Sequence, residues 1–407
     1  MSLPPPPSWL HPGLRLIEAE RCAGWAEIAA QADAFEAAFR ASGGRVVLPP
    51  QGVPALVAAL VAAERAGVEL HLSRRAMPAE AASEPGEPGF AVLLETSGTT
   101  GTPKLIRHDF QRLRGRLRGA TDPDARWLLA YEPAAFAGLQ VILTALAAGA
   151  TLVSAPGAGA ADLARLAVAH AVTHISATPS FWRAFLLALD GAAPPLAAIT
   201  LGGEVADQPL LDRLAERFPT AKLRHIYAST EAGSLFAVGD GKAGFPAAWL
   251  DGGVDGVGLR VRDGVLEVNS PRAMLGLQIG REVGRDGAWL STGDIVELRG
   301  DRALFAGRLD GRINVGGIKV SPEVVEQILL DVPGVRDALV EAAANPVTGH
   351  ILTALVVPAP GVEEPALRAA IRAAVADLPP AARPRLVTMT GSIALGAAGK
   401  KTRKGTA

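Results

Sequence analysis

The chain has 407 residues, and at about 150 residues per domain this length favours two or three domains over one. Apolar residues make up 49% of the chain and charged residues 20%, a balance that excludes a disordered or collagen-like protein. The 40 basic and 41 acidic residues leave a formal net charge of -1. No chain-wide field attracts a polyanion, so we expect no nucleic-acid partner.

The N-terminal segment shows neither the basic region nor the apolar run of a signal peptide. The one cysteine, Cys22, cannot form an internal disulfide. Together these features predict a reducing, cytoplasmic location. The longest uncharged stretch, 133–161, is interrupted by Gly138, Gly149 and Gly157. We interpret it as a helix, a turn and a strand, and expect no membrane span.

Helical and strand patterns alternate from Ala26 to about Gly203. Helical periodicity covers 26–40 and 53–67, and each of these segments is followed by a short β-branched run. Further predicted strands lie at 90–97, 126–133, 150–156, 173–179 and 197–203. Strands separated by helices predict an α/β fold with a parallel sheet covered on both faces.

The pattern changes after about Gly256. Asp263 and Gly264 separate two alternating runs, which is a strong hairpin signal, and predicts an antiparallel β region that completes a large domain at 1–309. From Asp310 onward come a Gly-rich loop, a helix with Ser321 as N-cap and Pro322 in its first turn, two strands and a further helix. This order predicts a small α+β domain at 310–407.

The predicted strand at 90–95 leads into a loop rich in hydroxyls and glycines that ends at Lys104. Glycines let a backbone wrap around an anion, while hydroxyls and a lysine can bind phosphate oxygens. The loop is not of the Walker type, because Pro103 precedes Lys104 and no Ser or Thr follows it. A polar surface turn is the alternative. The candidate phosphate-binding residues are Thr96, Ser97, Gly98, Thr99, Thr100, Gly101 and Lys104.

This loop, with His108 four residues later, resembles the phosphate loop of the adenylate-forming superfamily, which comprises acyl-CoA synthetases, peptide-synthetase adenylation domains and luciferases. Five more segments follow in the family's order across residues 90–404. They are Leu201-Gly202-Gly203-Glu204, Tyr227-Ala228-Ser229-Thr230-Glu231, Ser291-Thr292-Gly293-Asp294, the segment from Gly307-Arg308 to Gly316-Gly317, and Gly399-Lys400. The resemblance implies a large domain and a small mobile C-terminal domain.

Several of these residues also have a chemical interpretation of their own. Glu231 follows a predicted strand, where a carboxylate can hold magnesium that bridges phosphate oxygens; a helix-start glutamate is the alternative. Tyr227 offers a flat face to adenine, and a core tyrosine is the alternative. Asp294, after a predicted turn, can accept two ribose hydroxyls, and a turn-former is the alternative.

The resemblance assigns the remaining roles. Arg308 corresponds to the arginine that contacts the same ribose, although an exposed ion pair would also explain it. Lys400 corresponds to the catalytic lysine, although its neighbourhood taken alone is a solvated basic tail. Thr230 joins the catalytic set, and Gly316 and Gly317 form the face presented to a thiol. The other nucleotide-binding candidates are Gly202, Gly203, Glu204 and Ala228.

Three departures from the family pattern concern the substrate or the anchoring of the catalytic lysine. The histidine expected in the segment 133–138 is absent, Ala394 and Gly396 replace the usual Pro and Thr before Gly399-Lys400, and only about 90 residues precede the phosphate loop. We therefore expect a shortened N-terminal region. By fold analogy, Phe136, residues of the segment 176–182 and residues near Gly202 are candidates for the acid-binding pocket. The basic segment 111–119 is interpreted as a solvated helix.

The implied function is ATP-dependent activation of a carboxylic acid through an acyl-adenylate, followed by transfer to a thiol. ATP, Mg²⁺ and coenzyme A are the expected cofactors and substrates. Two alternatives use the same adenylation residues: transfer to the phosphopantetheine of a carrier protein, or to an amine. A non-catalytic nucleotide-binding protein is a third alternative, and the joint presence of Lys104, Glu231, Asp294 and Lys400 argues against it.

Overall fold

A computed structural model of the protein describes residues 3–75, 86–96, 104–114, 121–189, 191–279, 285–346, 348–396 and 399–403. The helices in these ranges are α1 Trp25–Arg40, α2 Val53–Ala66, α3 Phe110–Arg114, α4 Phe136–Ala148, α5 Ala160–Ala169, α6 Pro179–Ala188, α7 Gln208–Arg217, α8 Trp249–Gly252, α9 Pro322–Leu330 and α10 Glu364–Ala374. Only 111–114 of the predicted basic helix is described.

The strands follow the alternation expected from the sequence, with additional short strands. They are β1 Arg15–Glu18, β2 Arg21–Ala23, β3 Arg45–Leu48, β4 Glu69–Leu72, β5 Ala91–Thr96, β6 Lys104–Asp109, β7 Arg126–Leu129, β8 Thr151–Ser154, β9 His174–Ala177, β10 Ala198–Gly202, β11 Lys222–Ser229, β12 Gly233–Val238, β13 Phe245–Pro246, β14 Gly258–Arg262, β15 Val265–Asn269, β16 Gly276–Ile279, β17 Arg285–Asp286, β18 Trp289–Arg299, β19 Arg302–Arg308, β20 Ile313–Val315, β21 Ile318–Val320, β22 Val335–Asn345, β23 Gly349–Pro358 and β24 Leu386–Met389.

The larger sheet has the order β12-β11-β10-β9-β7-β8-β1-β2. Neighbouring strands from β11 to β1 are parallel, and β12 and β2 are antiparallel edge strands. The carboxyl ends of β9, β10 and β11 therefore meet at one edge of the sheet. Thr178, Gly203 and Thr230 follow these strands directly, so the fold brings two of the sequence segments, those of Gly203 and Thr230, together with Thr178 where α/β sheets bind ligands.

A second sheet, which the sequence did not indicate, adds to the parallel sheet that it predicted. It has the order β16-β6-β5-β4-β3, in which β3, β4 and β5 are parallel whereas β6 pairs antiparallel with β5 and β16. Only residues 97–103 separate β5 from β6 in the sequence, which is fewer than the dozen or more that a crossover between parallel strands needs, and this agrees with the antiparallel pairing. One hydrophobic core contains side chains from both sheets and from α2, which is buried from Leu56 to Ala63.

An antiparallel sheet follows, as predicted, with the order β13-β19-β18-β15-β14 and with β17 paired to β18. The β14–β15 hairpin turns at Asp263 and Gly264, whose φ angles are 51° and 77°. Two successive positive φ values are what a two-residue hairpin turn requires, which explains the Asp-Gly pair. The inner face of this antiparallel sheet packs against β12, and together they form a second hydrophobic core.

The C-terminal part contains the β20–β21 hairpin, the sheet β22-β23-β24 and the helices α9 and α10. One of its cores draws its buried residues from Ile313 to Ala382 alone. Ser321 precedes α9 and Pro322 opens it as expected, although the Ser321 side chain makes no capping hydrogen bond within the described ranges. The boundary between 309 and 310 stays a prediction.

The uncharged stretch 133–161 forms α4, a turn and β8, as the sequence predicts. Gly149 ends α4 with a φ of +71°, a conformation that favours glycine at a helix C-terminus. Among the described residues, every helix is too short or too polar to cross a membrane.

Candidate active site

Lys400 lies over the turn that follows β10. A Cβ atom placed on Gly203 would be 3.5 Å from Cε and 3.9 Å from Nζ of Lys400. Gly203 has a φ of +81°, which favours glycine at this turn. The C-terminal lysine and the Gly202-Gly203 turn are about 200 residues apart in the sequence, and the fold places them in contact range.

The loop that carries Lys400 is anchored on both sides of this residue. The hydroxyl of Thr178 donates to the carbonyl oxygen of Gly399 and accepts from Phe181 N at 3.0 Å, capping α6. Gly396 N donates to Lys400 O at 2.8 Å, and Gly399 N donates to Gly396 O at 2.9 Å. The backbone of Gly396 thus closes the turn, although this position departs from the family pattern.

Charged groups from four segments surround the Lys400 ammonium. Burial lowers the pKa of Lys400, and the positive charges of Arg308 and Arg74 act in the same direction. Glu204 and Asp294 act in the opposite direction. Glu204 is held in place because its Oε2 accepts from Ser180 N at 2.9 Å, at the start of α6. An ammonium in this setting can neutralise a negative charge that develops beside it.

Lys104 and Glu231 form a second charged pair. Lys104 Nζ lies 3.7 Å from Glu231 Oε1. The Glu231 side chain is only 20% exposed, so it is not the fully exposed carboxylate that the sequence suggested. Thr96 pairs with Lys104 across β5 and β6, so these residues mark the two ends of the predicted phosphate loop. The loop residues Ser97, Gly98, Thr99, Thr100 and Gly101 lie outside the described residues.

The surroundings of Glu231 fit one way of holding magnesium. Among the residues that the structure describes, no group of three or more His, Cys, Asp or Glu side chains could form a metal cage. Glu231 offers one accessible carboxylate beside a single lysine. Magnesium is commonly bound by one or two carboxylates together with substrate phosphates and water. The residues present therefore fit a magnesium ion that arrives with a nucleotide.

Tyr227, Asp294 and Arg308 form a hydrogen-bonded chain. The hydroxyl of Tyr227 donates to Asp294 Oδ2, and Arg308 donates to Asp294 Oδ1 at 3.1 Å and to Asp310 Oδ1 at 3.0 Å. Burial raises the pKa of Asp294, and Arg308 opposes this rise. Each carboxylate oxygen has a second lone pair. Both oxygens of Asp294 can thus accept a further hydroxyl.

Two details of this chain differ from the sequence expectation. Asp294 lies within β18, where the pairing with β19 shifts between Asp294 and Val296, and not after a turn. Gly293, with a φ of +75°, produces this irregularity. The Tyr227 ring packs against Phe305, with ring centroids 4.9 Å apart. Its position combines core packing with a hydrogen bond into the site.

The remaining predicted residues lie in two places. Ala228 is at the register shift between β11 and β12, beside Tyr227. Gly316 and Gly317 form the β20–β21 turn, with φ angles of 58° and 89°. Gly317 N donates to Asn314 Oδ1 at 2.9 Å and Gly316 N to Thr348 O at 2.9 Å. Among the described residues, these contacts of the turn lie within the C-terminal part, and they do not join it to the group around Lys400.

His108 is a buried polar residue next to the site. It is 1% exposed, and its Nε2 has no hydrogen-bond partner in the part of the chain that the structure describes. Its ring lies 5.9 Å from that of Phe136. Burial lowers the pKa of His108 to about 4, partly offset by a hydrogen bond with the Thr230 backbone. The imidazole is neutral at pH 7.

This burial predicts a loss of stability in acid. The unfolded chain binds a proton on His108 below about pH 6.5, whereas the folded chain binds it only near pH 4. The free energy of unfolding should therefore fall by about 3 kcal/mol as the pH decreases from 6.5 to 4. Urea unfolding across this range, compared with His108→Gln, measures the contribution. An identical pH slope in both proteins would contradict it.

Sequence reasoning included Thr178 only within the segment 176–182, as a candidate for the acid-binding pocket by fold analogy, and did not identify Arg183. Nothing in the sequence indicated that Thr178 would hold the loop of the catalytic lysine. Its contact with Gly399 joins residues 221 positions apart, and no local pattern predicts such a contact.

Two family models match the chain. The model described as AMP-binding enzyme matches residues 73–263, and the model described as AMP-binding enzyme C-terminal domain matches residues 324–400. Together they cover about two thirds of the chain, in the order in which the sequence segments occur. The first contains the strand ends at Thr178, Gly203 and Thr230, and the second ends at Lys400.

Curated relatives are similar at moderate identity. The 2-succinylbenzoate–CoA ligase of Bacillus subtilis is 28% identical over 285 residues, covering 64% of this chain and 57% of that protein. This chain therefore spans little more than half the length of that relative. A probable 2-succinylbenzoate–CoA ligase of Mycobacterium tuberculosis is 29% identical, covering 70% of this chain and 75% of the relative. Phenyloxazoline synthase MbtB of M. tuberculosis is 29% identical, and the match covers 81% of this chain and 25% of that protein.

A solved structure shares the fold. The o-succinylbenzoate CoA synthetase of B. subtilis, in complex with ATP and a magnesium ion, superposes with a TM-score of 0.69 at 20% identity. The superposition covers 95% of this chain and 94% of that one. The matched models, the shared fold and the assembled strand-end residues agree, and the chain belongs to the adenylate-forming superfamily of AMP-binding enzymes.

Proposed function

We propose that the protein is an AMP-forming acid–thiol ligase whose acceptor is coenzyme A. A carboxylate oxygen of the acid attacks the α-phosphorus of ATP, the bond to pyrophosphate breaks, and an acyl-adenylate forms. The thiol then displaces AMP. The observation that carries this proposal is the placement of the Lys400 side chain against the Gly203 turn, with Glu204 among the charges that act on it, because a nucleotide-binding protein without chemistry has no need of an ammonium at that position.

Most of the rate in such a reaction comes from positioning and charge neutralisation, since no side-chain nucleophile is needed. Lys400 stabilises the charge that develops on the acyl and α-phosphate oxygens. Lys104 and the loop from Thr96 to Gly101 bind the outer phosphates. Thr230, which follows β11 directly, belongs to the same catalytic set, and Glu231 would hold the magnesium ion, which neutralises phosphate charge when bound.

The Tyr227–Asp294–Arg308 chain supplies the nucleoside site. Asp294 accepts the ribose hydroxyls through its free lone pairs, and Arg308 fixes the carboxylate. Tyr227 presents its ring to adenine, together with the backbone of Gly202, Gly203, Glu204 and Ala228. Asp294 thereby distinguishes ATP from 2′-deoxy-ATP.

The second half-reaction requires a rearrangement of the C-terminal part. We propose that the boundary between 309 and 310 separates two domains, and that rotation near Asp310 withdraws Lys400 and presents the Gly316-Gly317 turn to the thiol. The domain name of the second family model supports this division. A carrier-protein arm is the second candidate acceptor, because MbtB, a synthase, matches 81% of this chain. A cytoplasmic location is part of the proposal.

Acid-dependent exchange of labelled pyrophosphate into ATP tests the proposed activity. 2-Succinylbenzoate is the first acid to test, because two curated relatives are named for it, followed by benzoates and short aliphatic acids. Acids that support exchange are then supplied with coenzyme A, a phosphopantetheinylated carrier or an amine. Exchange with one or more acids supports the proposal. ATP binding without exchange for the whole panel would identify a nucleotide-binding protein instead.

Asp294→Ala should weaken the binding of ATP and AMP equally, because both carry the same ribose. Each lost hydrogen bond to a charged group costs about 1.5–3 kcal/mol, so affinity should fall by at least about tenfold. The preference for ribose over 2′-deoxyribose should narrow. Calorimetric titration with ATP, AMP and 2′-deoxy-ATP measures these effects. Unchanged affinity for both nucleotides would limit Asp294 to its structural contacts.

A further inference from the structure

Arg183, Asp207, Asp337 and Lys401, here called the charge bridge, connect the large part of the chain to the C-terminal part. Arg183 lies on α6 and Asp207 caps α7, whereas Asp337 lies on β22 and Lys401 follows Lys400. The side chains are 4–8% exposed. Four charges with so little exposure must neutralise one another, because burying an unpaired ion is costly.

Asp337 lies between two cations that belong to different parts of the chain. Its Oδ1 is 2.7 Å from Lys401 Nζ and 3.5 Å from Arg183 Nε. Lys401 Nζ also donates to Ala338 O at 2.5 Å, while Arg183 pairs with Asp207 on its own side. Without the Asp337 carboxylate, two buried positive charges would face each other across the boundary.

The same helix contacts both flanks of Lys400. Thr178, the N-cap of α6, donates to Gly399 O, and Arg183, one turn further along α6, meets the anion that holds Lys401. A second contact nearby also crosses the boundary, since Arg213 donates to Arg336 O at 3.2 and 3.3 Å. Lys400 is therefore fixed between two anchored residues only while α6 and β22 are together.

We propose that Asp337 is a positioning residue that couples closure of the two parts to the placement of Lys400. The charge bridge holds the orientation in which the Lys400 side chain lies against the Gly203 turn. Separation of α6 from β22 breaks the Arg183–Asp337 contact and leaves Lys401 paired within the C-terminal part. This inference rests on the proposed function for its catalytic meaning, but the coupling itself is a property of the apo protein.

Single-molecule energy transfer tests the coupling without any substrate. The chain has one cysteine, Cys22, which is exposed, and Arg372→Cys on the exposed face of α10 supplies a second label in the C-terminal part. In this labelled protein, Asp337→Asn should lower the ratio of closed to open molecules by at least about tenfold. Arg183→Lys keeps the pairing with Asp207 but shortens the reach to Asp337, and should shift the ratio in the same direction.

A double-mutant comparison distinguishes coupling from general damage. Arg183→Lys combined with Asp337→Asn should lower the ratio of closed to open molecules by less than the product of the two single effects, because both substitutions remove the same Arg183–Asp337 contact. Glu364→Gln is the matched control: it removes an exposed partner of Arg368 at 2.7 Å within α10, and should leave the ratio unchanged. Circular dichroism verifies folding, and if Asp337→Asn does not fold, Arg183→Lys alone decides the outcome.

The catalytic consequence is measured separately. With an acid that supports pyrophosphate exchange in the unsubstituted protein, Asp337→Asn should lower exchange while thioester formation from preformed acyl-adenylate is preserved. Unchanged closed populations in both variants would overturn the inference even if the protein is an active ligase. A shift in population, in a protein that activates none of the acids, would refute the proposed function and leave the coupling intact.

Discussion

Lys400→Ala should lower the rate of acyl-adenylate formation by a factor on the order of 10²–10³, by analogy with the loss of a donor that stabilises developing charge. The structure gives the reason, since the Lys400 side chain lies against the turn after β10, where Glu204 acts on its ammonium. Thioester formation from preformed acyl-adenylate should fall much less, because Lys400 has left the site in that step. Single-turnover measurement of each half-reaction provides the test.

Lys401→Ala is the comparison for this variant. Lys401 carries the same charge one residue later, but its ammonium contacts Asp337 and Ala338 O instead of the turn after β10. It should affect adenylation less than Lys400→Ala does. Equal losses in both half-reactions, or no loss in either, would remove Lys400 from its proposed role.

Asp310→Pro should have the opposite effect to Lys400→Ala, because it should lower transfer to the thiol and not adenylate formation. Proline fixes φ near about -65° and also restricts the residue before it, so rotation near Asp310 should be blocked. The flanking backbone is held in the orientation seen here, with Leu309 N bonded to Gly293 O at 2.8 Å and Gly311 N to Arg308 O at 3.3 Å. Adenylate formation should survive, whereas transfer to the thiol should fall on the order of 10²-fold, as expected for misplaced reactants.

Asp310→Ala controls for the lost carboxylate, which pairs with Arg308 at 3.0 Å. It removes the same ion pair but leaves the backbone free to rotate, and should therefore retain transfer. A melting curve verifies that the proline variant is folded. A folded Asp310→Pro protein with unchanged rates in both half-reactions would disprove rotation about this residue.

Much of the fold follows from local patterns in the sequence. The alternation of helices and strands, the Asp263-Gly264 turn and the helix, turn and strand of 133–161 are all confirmed. What the local patterns could not give is the partition of strands between sheets. The sequence of β6 mixes apolar with charged residues and does not indicate which sheet the strand joins, and only the short loop before it indicates that it returns antiparallel to β5.

The candidate site, like the fold, could be predicted from the sequence only in part. Single residues such as Asp294 and Lys400 were identified through their motifs, and their contacts were not. The placement of Asp294 in the middle of β18 depends on a register shift that pairs it with Arg308, and the contact of Lys400 with Gly203 depends on packing between distant parts of the chain. Arg183 and Asp337 belong to no motif, and only their burial against each other reveals them.

The fate of the carboxylate oxygen tests the central claim most directly. The acid selected by pyrophosphate exchange is labelled with ¹⁸O in its carboxylate and incubated with ATP, magnesium and coenzyme A, and the products are analysed by mass spectrometry. Attack on the α-phosphorus followed by thiol transfer moves one carboxylate oxygen into AMP, so AMP should gain one ¹⁸O atom and pyrophosphate none. Label in released phosphate, or unlabelled AMP formed together with thioester, would contradict activation through an acyl-adenylate.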